Sequence, residues 1–176
     1  MSTRCQVKVT QSGISLNDQA VTLYHHCDGY PTNMLPLIQS AYDLGHRGWE
    51  LGRTGKSASF LCASDPGSFE PEAGHELHGD IEWYYVVQCV NSKGGTIDEV
   101  PSWNVFVYDP SYDYDRNTSS IKLVGVLYDI GNIKPSDVKQ YAKYIESNEN
   151  RLTEKFLEYH PTLHIEHKTK ENDVSN

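Results

Sequence analysis

Apolar and polar residues alternate along Gln6 to Thr10 and again along Val21 to His25, the period of a strand with one buried face. Ser12-Gly13 and Asn17-Asp18 lie between the two runs and are turn residues, so the runs are expected to pair as a hairpin. Asp28-Gly29-Tyr30-Pro31 then ends the second strand abruptly. From about Asn33 to Leu44 the period changes. Met34, Leu35, Ile38, Ala41 and Tyr42 recur at helical spacing, Thr32 or Asn33 can cap the first turn, and Pro36 has to sit near its start.

Gly52 to Gly79 carries little periodicity. Ala58 to Ala63 fits a short helix or strand, and the remainder reads as a long loop, the kind that is often functional or mobile. Three more strands are predicted at Ile81 to Val90, Trp103 to Tyr108 and Ile121 to Ile130, with Gly94-Gly95 and the polar stretch Asp109 to Ser120 between them. Val138, Tyr141, Ile145, Leu152, Phe156 and Tyr159 form the apolar stripe of a final helix from Ser136 to Tyr159. Consecutive strands with inserted rather than alternating helices indicate an α+β fold. The expected sheet is mainly antiparallel, of about five strands, with one helix after strand 2 and a long C-terminal helix. Residues 1–168 are expected to form one domain and residues 169–176 a disordered tail.

Composition narrows the function classes. A 38% hydrophobic share can build a core, so wholesale disorder is not expected. The formal net charge of −9 and the lack of a basic stripe argue against direct nucleic-acid binding. Nothing at Met1 resembles a signal peptide, and no apolar run approaches the roughly 18 residues of a membrane span. A cytoplasmic chain without membrane attachment is expected, its scattered Cys5, Cys27, Cys62 and Cys89 reduced.

Two polar clusters stand out. The first is His25-His26-Cys27-Asp28, where a strand ends before a helix. Alternation sends His25 and His26 to opposite faces and lets His26 and Asp28 share one. The competing reading of Asp28-Gly29 is a plain turn, with glycine at positive φ. The second is His75-x-x-His78-Gly79-Asp80-x-Glu82, where the long loop meets the strongest strand. Asp80 and Glu82 are two apart and are expected on one sheet face, a costly pairing unless it is solvated or partnered. The competing reading there is an exposed strand start. His26, Asp28, His78, Asp80 and Glu82 are the candidate catalytic residues, and His26, Asp28, His78 and Asp80 the candidate ligands of a divalent metal.

Weaker signals carry less. Gly52-Arg53-Thr54-Gly55-Lys56-Ser57 ends like a P-loop, but the first required glycine falls on Glu50. His160, His164 and His167 lack cysteine partners. The Tyr108-to-Asp115 stretch reads as an exposed turn or an aromatic recognition loop.

The segments Tyr24-His25-His26-Cys27-Asp28-Gly29-Tyr30-Pro31 and His78-Gly79-Asp80-Ile81-Glu82-Trp83 resemble a family of uncharacterised small proteins of bacteria and their phages. That family couples an H-x-D-G-Y-P segment to an H-G-D-I-E-Y segment. Trp83 replaces the usual Tyr, and the resemblance covers roughly residues 1 to 90. It implies where a site lies and brings no activity with it. The leading expectation is a metal-assisted hydrolase with a His/Asp/Glu pocket. The alternatives are a small-molecule or nucleotide binding module without turnover, and an acidic, phage-type inhibitor with a protein partner.

Overall fold

The computed structural model describes residues 3–12, 19–91, 100–113 and 118–148. Strands β1 (Cys5–Gln11) and β2 (Val21–His25) pair antiparallel with Cys5 opposite His25. Helices α1 (Pro31–Leu44) and α2 (Thr54–Ser64) follow, joined through a 3-10 turn at Trp49–Gly52. The short β3 (Phe69–Pro71) returns to pair with β2, and β4 (Trp83–Val90) inserts beside β1. β5 (Ser102–Asp113) and β6 (Thr118–Leu127) complete the sheet, and α3 (Pro135–Asn148) closes the fold.

Among the described residues the sheet has six strands, in the order β3-β2-β1-β4-β5-β6. The α+β class holds, with two corrections to the expected sheet. β3 is the added strand, and β1 and β4 are parallel while every other neighbouring pair is antiparallel. The parallel pair arises because the chain leaves β1 through β2, crosses by α1, α2 and β3, and returns on the other side of β1.

Element bounds differ for identifiable reasons. α1 begins at Pro31 rather than Asn33, because a proline in the first turn gives up only an N–H that would have no helical partner. Ala58 to Ala63, which fits a short helix or strand, lies within α2, and the helix extends from it to Thr54 and Ser64. That helix buries only Ser57, Ala58 and Leu61, too few and too small to write a stripe. The Asp109 to Ser120 stretch, read as a loop, is largely strand: β5 and β6 pair as far as Asp113 with Thr118. Pro110 and the many Asp, Ser and Asn residues there carry turn signals that outweigh the short Tyr–Asp alternation. β4 begins at Trp83 instead of Ile81, and β6 covers Thr118–Leu127 instead of Ile121 to Ile130. The rest of the final helix, to Tyr159, and the 169–176 tail lie outside the described residues, as do His160, His164 and His167.

Helices α1, α2 and α3 cover one face of the sheet. Cys5, Val7 and Val9 of β1, Tyr85 and Val87 of β4, and Trp103, Val105 and Val107 of β5 pack there against Met34, Leu35, Ile38, Leu61, Val138 and Tyr141. The opposite face carries a smaller cluster, Tyr24, Ile81, Tyr84 and Val86, onto which Leu77, Phe106 and Tyr108 pack. The 72–82 segment supplies Leu77 and Ile81 to that cluster, so it lies across the face opposite α1, α2 and α3 and shapes the polar site there. No helix among the described residues is long and apolar enough to cross a membrane.

Candidate functional site

Strand alternation parts the two adjacent histidines as expected. His25 is 1% exposed on the helix face, where its Nε2 lies 2.9 Å from an Asp65 carboxylate oxygen and its ring meets Phe69 edge-on. Its Nδ1 is buried without a hydrogen-bond partner among the described residues. His26 emerges on the other face, its side chain 53% exposed, with Nε2 2.9 Å from Glu70 Oε2. Glu70 is there because β3 pairs it with Tyr24, the residue two before His26.

Asp28 turns away from this arrangement. It adopts φ +54°, and Asn33 Nδ2 donates to its carbonyl at 2.8 Å. Gly29 then runs against β1 so closely that a Cβ would lie 2.9 Å from Cys5 Cβ and 3.0 Å from the Arg4 carbonyl carbon. Gly29 N donates to Thr3 O, and its own carbonyl accepts from the buried Tyr85 hydroxyl at 2.8 Å. The Asp28-to-Pro31 segment is thus a turn that locks β2 to β1 and delivers Pro31 to the helix start. It is Asp28, rather than Gly29, that takes the positive φ.

The 72–82 segment is organised by one side chain on β1. Gln6 is 0% exposed; its Nε2 donates to Glu72 Oε2 at 2.5 Å and to Glu76 O at 3.0 Å, while its Oε1 accepts from His78 N at 3.0 Å. Glu72, 13% exposed, places its other oxygen 2.5 Å from His78 Nε2. His75 Nδ1 lies 2.7 Å from the hydroxyl of Thr22. Further along, Asp80 Oδ2 accepts from the Tyr24 hydroxyl at 2.9 Å and from Arg4 Nη1 at 2.8 Å.

Tyr24 is the centre of the group. Its ring lies 4.9 Å from that of His26 and 5.1 Å from that of His78. Burial, reinforced by the hydrogen bond and charge of Asp80, pushes its hydroxyl up to about 12, so it remains a protonated donor at neutral pH. Around it opens a cleft of about 700 Å³ walled by His26, Glu70, Glu72, His75, Glu76 and His78.

The structure therefore gathers His26, His78 and Asp80 around one tyrosine and separates Asp28 and Glu82 from them. Glu82 does not share a strand face with Asp80, because both precede β4. Its N–H donates to Arg4 O, and its side chain lines a different hollow with Tyr30, Trp83 and Glu146. Among the described residues no three His, Cys, Asp or Glu side chains are grouped as a metal site, so His26, Asp28, His78 and Asp80 do not form one shell. The donors come instead in imidazole–carboxylate couples. A carboxylate at Nε2 selects the tautomer protonated there and leaves the lone pair on Nδ1, which is the form a general base needs.

Glu70, Glu72 and Gln6 escape a sequence reading. Glu70 and Glu72 are two apart, a spacing that puts both on one face of an extended segment, yet the proline between them hides the strand. The P-loop-like Thr54-to-Ser57 stretch is the first turn of α2, with Ser57 buried and bonded to Leu51 O. No family model, curated protein or solved structure matches this chain.

Proposed function

We propose that the cleft around Tyr24 is an acid–base site that hydrolyses a small polar substrate. Two histidine–glutamate couples facing a single tyrosine ring carry this reading. His78, oriented by Glu72, takes a proton from water as that water attacks a carbonyl or phosphoryl centre. His26, oriented by Glu70, returns a proton to the leaving group. Glu72 is the more sheltered carboxylate and is held in turn by Gln6, so the His78 couple is the better fixed and serves as the base. Asp80 and Arg4 anchor Tyr24 as the wall between the two imidazoles. The reading assigns no reacting role to Asp28 or Glu82.

A panel of activated esters, amides and phosphodiesters tests it. Turnover by the wild-type chain, falling by about 10² or more in His26→Gln/His78→Gln with the fold intact by circular dichroism, is the expected result. Ligand-induced thermal stabilisation without turnover would replace hydrolysis by binding alone. Turnover equal in wild type and variant would remove the cleft from consideration.

A further inference from the structure

The walls of the Tyr24 cleft are unevenly charged. They carry three carboxylates, Glu70, Glu72 and Glu76, and three imidazoles, with no lysine or arginine among the described residues that line it. Arg4, which reaches Tyr24 through Asp80, is matched by that carboxylate at 2.8 Å. With one imidazole protonated to serve as the acid, negative charge on the walls still exceeds positive. A recess lined mainly by one sign of charge focuses its field on whatever enters. Phosphodiesters and free carboxylates are repelled there, and a cation is drawn in.

The three carboxylates are not equivalent. Glu70 and Glu72 lie against His26 and His78. Glu76 is fixed through its main chain instead, its carbonyl accepting from Gln6 Nε2 at 3.0 Å. The residue is exposed, and no ion pair among the described residues engages its carboxylate. It is the wall carboxylate that the hydrolytic chemistry leaves unused. A partly exposed carboxylate at the rim of a recess suits an ammonium, which keeps part of its hydration while gaining a counter-charge.

We propose that the cleft selects small amides and esters that carry an ammonium group, with that group at the Glu76 carboxylate and the scissile carbonyl between His78 and His26. The fate of the carbonyl rests on the hydrolytic reading, whereas the choice of charge rests on the cleft walls alone.

Three amides of similar length separate the charges: 6-aminohexanamide, hexanamide and the monoamide of adipic acid. Titrated into the ¹⁵N-labelled full chain, the cationic amide is expected to give saturable shifts in β2, β3 and the 72–78 segment. Hexanamide is expected to bind roughly threefold to fivefold more weakly, the scale of one exposed ion pair, and the anionic monoamide more weakly still. Glu76→Gln keeps the shape of the side chain, removes its charge and is expected to erase most of that difference. Equal affinity for the three, a preference for the anion, or no saturable shifts with the cationic amide would overturn the proposal. These comparisons need no variant. Turnover is read separately on nitroanilides or nitrophenyl esters of the same three acids. Turnover indifferent to charge overturns the selection and leaves hydrolysis standing. Selective binding without turnover removes hydrolysis and leaves the selection standing.

Discussion

Single residues decide the site more than its acidic composition does. Gln6 uses both ends of its amide to hold Glu72, Glu76 O and His78 N, so it fixes a segment that has no regular structure of its own. Gln6→Ala leaves those groups without their buried partner and is expected to cost roughly 1–3 kcal/mol in urea unfolding. No change in the midpoint would mean that the segment is held by something else. Gly29→Ala drives a methyl group into β1 backbone and is expected to cost about 1–3 kcal/mol, since strand atoms cannot step aside as a flexible side chain would. At this scale the parting of His25 from His26 was legible, because it follows from the period of a strand alone. The pairing of His78 with Glu72 was not, because it depends on a segment that follows no period.

Elements tell a similar story. β1, β2, α1 and β4 carry strong patterns because each buries large residues at regular intervals. α2 is legible only as Ala58 to Ala63, a run that fits helix or strand equally, because small residues face the core and only Leu61 is large and wholly buried. That residue gives the element its test: Leu61→Ala is expected to destabilise the chain by roughly 2–5 kcal/mol, the scale of a core cavity. A surface-like response would return the segment to a loop. The parallel pairing of β1 with β4 was invisible for another reason, since strand neighbours far apart in the chain leave no local signal. β1 lies between β2 and β4 and is buried on both faces, so its amides are expected to be among the slowest to exchange with deuterium.

At the scale of the whole fold, the described residues form a two-layer α+β arrangement whose helices cover one face of the sheet and whose candidate cleft opens on the other. Burial raises several acids at once: Tyr24 and Tyr84 to about 12 and Cys89 to about 11, with Tyr85 and Tyr141 moved the same way. Each releases its proton more readily from the unfolded chain than from the native one. The resulting stabilisation is complete below their ordinary values, about 9 for the thiol and 10 for the phenols, and is lost as pH climbs through 11 to 12. Phenolate absorbance is therefore expected to appear in two stages, the exposed tyrosines first and the buried ones together with alkaline unfolding. A single smooth titration with the fold retained would contradict the burial. The central claim is that His78 and Glu72 act as one unit in the cleft. Its most direct test is kcat/KM for Glu72→Gln, a change that keeps shape and removes charge, on whichever substrate the wild type turns over. The account predicts a fall of roughly tenfold or more at nearly constant thermal stability; a rate equal to wild type would contradict it.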